Sequence, residues 1–169
     1  MQMHLEKYSM ENSTLKTPEI SVIVCCHNQG FIQKFVESVQ HSTGVSYEII
    51  IVSSAEALCN IGIPSCTVIN GPDMPAAKRN MGARIAKGKY LAFFDDDVEV
   101  EPNCLAQLYT WASLEPEKCM EFGKLYNMEY RNRFDEAGGF LTPTGFIWAR
   151  AGQNDVDSGQ FNKHETIFS

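Results

Sequence analysis

The residues most able to do chemistry in this chain are three consecutive aspartates, Asp95-Asp96-Asp97, which close the apolar run Tyr90-Leu91-Ala92-Phe93-Phe94. Neighbouring carboxylates oppose one another's ionisation, and a nearby cation removes the conflict. All-oxygen ligands suit a hard divalent ion such as Mg²⁺ or Mn²⁺. In an extended chain, alternation puts Asp95 and Asp97 on one side and Asp96 on the other. One of the pair can then meet a metal while its neighbour meets a ligand hydroxyl. A metal so held would bridge two phosphate oxygens and stabilise a leaving diphosphate. The basic residues nearest this chemistry are Lys78 and Arg79, in the first turn of a helix opened by Pro75. The partial positive charge of that helix terminus points the same way. The competing reading of the triplet is a solvated loop that caps the helix after Pro102.

These groups need a frame, and strand and helix patterns alternate along most of the chain. Ile20 to Cys26 is a β-branched apolar run, which suits a strand buried on both faces. His27-Asn28-Gln29-Gly30 is a turn signal. Phe31, Phe35, Val36 and Val39 have helical spacing up to His41. Strands follow at 47–52, 66–69 and 89–94, with helices at 75–87 and 102–113. This order predicts an α/β, Rossmann-like fold: a mainly parallel sheet flanked by helices. Right-handed crossovers then bring the strand carboxyl ends to one edge, where open α/β sheets bind ligands. Three polar segments fall there: Cys26-His27-Asn28, Ser53-Ser54 and Asp95-Asp96-Asp97. Residues 1–18 read as a polar leader, 19–115 as the ligand-binding α/β unit, and 116–169 as a connecting segment of the same domain in which the alternation fades.

Composition narrows the function classes. The chain has 169 residues, 44% of them apolar, and a net charge of −7. Such an acidic chain is a poor nucleic-acid partner. No apolar run approaches the length of a membrane span, and no signal peptide is recognisable. The expected location is cytoplasmic, with peripheral attachment to the inner face of a membrane compatible with it. The six cysteines form no Cys-x-x-Cys pair, so they read as reduced thiols rather than zinc ligands. Cys25 and Cys26 should face opposite sides of their strand. His4, His41 and His164 have no partner spacing. Trp148 could flank a sugar ring, although a packing role is commoner for tryptophan.

With those motifs in view, the chain resembles the family two glycosyltransferases. The resemblance covers about 20–115 and rests on the first strand with His27-Asn28, then Ala77-Lys78-Arg79-Asn80-x-Gly82, Ala86-x-Gly88-x-Tyr90 and Phe94-Asp95-Asp96-Asp97. It implies the GT-A fold, a nucleoside-diphosphate sugar donor, inversion at the anomeric centre and Mn²⁺ or Mg²⁺ as cofactor. It further implies that Asp95 faces the ribose or sugar, that Asp97 coordinates the metal and that Asp96 assists either. Cys26-His27-Asn28 would lie near the nucleobase, with Arg79 and Asn80 beside the nucleotide. The acceptor would be a glycan or a lipid-linked saccharide. The stretch from Phe134-Asp135-Glu136-Ala137-Gly138-Gly139-Phe140 to Asp155-x-Asp157-x-Gly159-Gln160-Phe161 resembles a connecting segment of rhamnosyltransferase-like members.

Two departures stand out. The family usually carries an acidic residue after the second strand, where this chain has Ser53 and Ser54; a serine can still bond a base edge, without charge. The general base and an aromatic acceptor region lie, in the family, beyond the position of Ser169, so the chain reads as lacking that carboxyl-terminal part. Asp135, Glu136, Asp155 and Asp157 are read as loop carboxylates rather than as the base. Two rival classes remain: a non-catalytic nucleotide-binding or interaction module, and a sugar nucleotidyltransferase, for which His27-Asn28-Gln29-Gly30 is a poor phosphate loop.

Overall fold

A computed structural model describes residues 17–54, 63–117, 120–163 and 165. Most of the leader, Ala55-Glu56, Cys59, Cys119 and His164 lie outside them. The main sheet has four parallel strands in the order β3-β2-β1-β4: β1 (Ile20–Cys26), β2 (Tyr47–Ser53), β3 (Cys66–Asn70) and β4 (Tyr90–Asp95). Among the described residues three helices accompany it: α1 (Gln29–Gln40), α2 (Pro75–Ile85) and α3 (Cys104–Leu114).

β1 is the spine of the sheet. All seven of its residues are buried, as its unbroken apolar run requires when neighbours and helices cover both faces. On one face Val22, Val24 and Cys26 pack with Phe35, Val36 and Val39 of α1 and with Leu105 of α3. On the other, Ile23, Ile50 and Val52 pack against Met81 and Ala83 of α2. Cys25 and Cys26 do face opposite ways: the Cys25 thiol contacts the Pro75 carbonyl at 3.5 Å, and Cys26 joins the α1 cluster. Among the described residues Cys25, Cys26, Cys66 and Cys104 are free thiols whose pKa burial raises.

Several boundaries differ from the sequence expectation. α1 starts at Gln29 rather than Phe31, because the Asn28 side chain accepts the Gly30 N–H as an N-cap. Its buried stripe is therefore Ile32, Phe35, Val36 and Val39, with Phe31 exposed. α2 ends at Ile85, and α3 begins at Cys104 after a turn in which the Cys104 N–H donates to the Glu101 carbonyl. β4 is an edge strand. Leu91 and Phe93, on the α2 side of the sheet, are about half exposed, so two-sided burial does not extend to it.

Two glycines allow the close packing that levels the strand ends. A Cβ on Gly82 would stand 2.5 Å from Ile23 beneath α2, and one on Gly88 would stand 2.4 Å from the Ser21 backbone nitrogen. Gly88 also donates its N–H to Ser21 Oγ, which in turn donates to Glu48 at 2.6 Å. A backbone atom cannot move aside as a side-chain tip can. Gly88→Ala should cost about 1–3 kcal/mol, the usual range for overpacking, visible as a lower urea midpoint at unchanged slope.

After α3 the architecture changes, as the fading alternation suggests. β5 (Leu125–Tyr126) pairs antiparallel with β6 (Phe134–Glu136), and β7 (Gly139–Leu141) forms a hairpin with β8 (Ile147–Ala149). The following segment returns over β6: the Phe134 N–H donates to the Asp155 carbonyl, and the Asn154 N–H to the Phe134 carbonyl. Phe134 is buried between Tyr126 and Phe161.

Candidate functional site

Parallel register brings the polar segments together. Cys26 is level with Ser53, Cys25 with Asp95, and Ser53 with Asn70. The chain moves outward from β1 through β2 to β3, then crosses back to β4 on the other side of β1. The switch point therefore lies between β1 and β4, and a crevice outside the strand ends is expected there. The His27-Asn28 turn and the three aspartates lie at that edge.

The strand ends at Asp95, and Asp96 and Asp97 form the turn that follows it. Asp95 and Asp97 are exposed and Asp96 is buried. One oxygen of Asp96 accepts both the His27 and the Asn28 backbone N–H, each at 2.7 Å. Asp96 thus holds the β1–α1 turn to the end of β4, using hydrogen bonds of the strong, charge-assisted kind. Asp95 accepts from Arg79 Nη2 at 2.7 Å. That pair is exposed on both sides and is worth at most about 1 kcal/mol, so a ligand can exchange with either partner. Asp97 makes no hydrogen bond or ion pair among the described residues.

Lys78 is placed differently from Arg79. It is 1% exposed, and its Nζ donates to the Cys26 carbonyl at 3.0 Å. The expectation that it meets a nucleotide gives way here to a contact inside the protein, because Lys78 and Gly82 share the face of α2 turned to the sheet. Lys78 and Asp96 therefore grip the same turn, one through its carbonyl and the other through its N–H groups. Asn80 is exposed on the outer side of α2. Ser53 is fully buried; its hydroxyl lies against the Cys26 thiol across the strands and has no nitrogen or oxygen partner among the described residues. Ser54, one residue on, is half-buried at the edge. His27 is exposed there, while the Asn28 side chain is occupied as the cap of α1.

Among the described residues no group of three or more His, Cys, Asp or Glu side chains converges as a metal cage. The donor set at the crevice nonetheless fits one class of ion. Mg²⁺ and Mn²⁺ are commonly bound by one or two carboxylates, with water and substrate phosphates completing the shell. Asp97 offers one exposed carboxylate, with that of Asp95 two residues away.

The carboxylates of the returning segment have other duties. Asp155 accepts the Gly152 N–H at 2.8 Å. Asp157 accepts from Lys124 Nζ at 2.8 Å, from the Tyr126 hydroxyl and from the Gly159 N–H at 2.7 Å. These donors lower its pKa to about 2, with Lys124 the leading cause. Stability from this carboxylate is present above the ordinary carboxylate pKa near 3.8 and is lost as pH falls through about 2. Wild type should therefore lose melting temperature faster than Asp157→Asn between pH 5 and pH 2, and parallel curves would exclude the assignment. Asp135 and Glu136 are exposed on β6.

Comparison with known proteins decides the family. The Glycosyl transferase family 2 profile matches residues 21–138. The chain belongs to glycosyl transferase family 2. It is similar to two bacterial proteins named as glycosyltransferases: EpsH of Bacillus subtilis strain 168, 28% identical over 134 residues, and YibD of Escherichia coli K12, 33% identical over 113 residues. These matches take in 73% and 61% of this chain but 37% and 32% of the relatives, so the chain spans about a third of their length. The crystal structure of TarS 1-349 from S. aureus superposes with a TM-score of 0.55 at 18% identity, over 78% of this chain and 43% of that one. That likeness supports the GT-A fold. The sheet order and the family membership agree with one another, and sugar transfer is the activity class of the family 2 domain.

Proposed function

We propose that this chain forms the donor-binding part of a metal-dependent, inverting glycosyltransferase, which passes a sugar from a nucleoside diphosphate to an acceptor hydroxyl. The observation that carries the reading is the division of labour at the β4 terminus: one aspartate buried to fix the β1–α1 turn, and two exposed beside it. The buried group determines where the exposed ones stand. Asp97 would hold Mn²⁺ or Mg²⁺, and the ion when bound would neutralise charge on the departing diphosphate. Asp95 would accept from a ribose or sugar hydroxyl, releasing Arg79 toward phosphate oxygen, to which its planar fork is suited. His27 and Ser54, at the same sheet edge, would meet the nucleobase.

The partners on this reading are a nucleoside-diphosphate sugar and an acceptor glycan or lipid-linked saccharide. No helix among the described residues is long and apolar enough to cross a membrane; the site of action on this reading is cytoplasmic, at or near the inner membrane face. The burial of Ser53, in place of an exposed acidic residue, favours a second reading as a non-catalytic nucleotide-binding module. An assay of donor hydrolysis and transfer with Mn²⁺ separates the two. Metal-dependent turnover of one of UDP-, GDP- or dTDP-sugars supports the enzyme; tight nucleotide binding without turnover supports the module.

A further inference from the structure

Away from the three aspartates, the β7–β8 hairpin and the segment that returns past it flank an open cleft of about 280 Å³. That is near the small end of the range for small-molecule sites, about 300–1,000 Å³. Phe140, Trp148, Arg150, Gln160, Phe161 and Glu165 line it. None of these belongs to the crevice between β1 and β4.

The cleft has an aromatic lip and a polar interior. Phe140 and Trp148 are directly opposed across the hairpin, so their rings share one face of it. Both are exposed, Trp148 to 72%. Beneath them the Arg150 side chain is only 8% exposed. Its guanidinium stacks on Phe161 with 4.6 Å between its carbon and the ring centre, and donates to Glu165 at 3.0 Å. A buried, oriented guanidinium of this kind is pre-organised for further hydrogen bonds. Gln160 shapes the wall, since its amide already bonds the Val156 carbonyl, the Ser158 N–H and the Ser158 hydroxyl.

These features select one ligand chemistry. The Arg150–Glu165 pair leaves the lining without net charge, which disfavours phosphate or carboxylate. Two flat rings beside donors and an acceptor suit a molecule with an apolar face and a hydroxylated rim. A pyranose has both, through its axial C–H groups and its equatorial hydroxyls. We propose that this cleft binds one neutral pyranose unit, stacked on Trp148 and Phe140, with hydroxyls toward Arg150 and Glu165. Its assignment as part of the acceptor glycan rests on the transferase reading; the sugar site itself does not.

The test is saturation-transfer NMR on the full chain with the methyl glycosides of glucose, galactose, mannose, rhamnose and N-acetylglucosamine. At least one should bind, with a Kd of about 1–10 mM. Trp148→Ala and Phe140→Ala should each weaken that binding by about tenfold or more, as loss of an aromatic anchor does. Both side chains are substantially exposed, so the variants should fold as wild type. Asp97→Ala should leave glycoside binding unchanged, and Trp148→Ala should leave nucleotide binding unchanged, so the failure of one site is read separately from that of the other. Three results would overturn the proposal: no contact with any glycoside, equal binding by both aromatic variants, or a Trp148→Ala effect seen only as loss of self-association or of binding to phosphatidylglycerol vesicles.

Discussion

Asp97→Ala should abolish metal-dependent nucleotide binding while leaving the fold intact. Titration calorimetry with UDP, GDP and dTDP should show at least one of them binding wild type in Mn²⁺, with the variant weaker by about 100-fold or more, roughly 2.7 kcal/mol. The size follows from the sparseness of the site. With few protein carboxylates near the cation, the loss of one removes a large share of the protein's hold on it. Asp97 is exposed and has no partner among the described residues, so its removal opens no cavity and strands no buried group. The melting temperature without nucleotide should therefore stay within a degree or two. Equal affinity in wild type and variant would remove the metal from this position.

Asp96→Ala should behave in the opposite way and unfold the protein more easily. Its carboxylate satisfies two backbone N–H groups at the β1–α1 turn, 68 and 69 residues away in sequence. Hydrogen bonds to a charged partner contribute about 1.5–3 kcal/mol each, so the variant should lose roughly 3 kcal/mol in urea unfolding. Asp96→Asn, which keeps an oxygen acceptor of the same shape, should lose only about 1 kcal/mol. The turn that Asp96 holds carries His27, so nucleotide affinity should fall in both variants in the same order as stability. Lys78→Ala should share the phenotype, because Lys78 restrains the same turn through the Cys26 carbonyl. A full loss of nucleotide binding by Asp96→Ala at unchanged stability would mean that Asp96 is a ligand contact and not a restraint.

The contrast between these aspartates shows what could be read from the residues alone. Alternation predicts that Asp96 parts from Asp95 and Asp97, and the burial agrees, although the strand ends at Asp95 and it is the following turn that sets Asp96 inward. What Asp96 meets could not be read, because its partners are backbone groups at the end of β1 whose approach depends on strand order. Lys78 was legible in principle. It stands four residues before Gly82, the residue that must lie against the sheet, so the helical period puts both on the buried face. A basic residue near a helix start suggests an anion site, and that association masked the period. Ser53 follows the same logic: it stands two residues after the buried Ile51 and shares its side of β2.

The carboxyl-terminal part was legible mainly as a change of texture. Glycine and aromatic residues marked it as different, but its strands are three residues long or fewer. Runs so short carry no periodicity to detect. Nothing local announces that Asp157 closes onto Lys124, 33 residues earlier, or that Phe140 faces Trp148.

The central claim is that a cation held by Asp97 grips a diphosphate in the crevice between β1 and β4. A crystal of the protein soaked with Mn²⁺ and a nucleoside diphosphate, recorded near the manganese absorption edge, tests it directly. The expected result is one anomalous peak in contact with an Asp97 oxygen and two phosphate oxygens, with the base beside His27. A nucleotide bound elsewhere, or manganese absent while the Asp97 carboxylate points into bulk solvent, would contradict it.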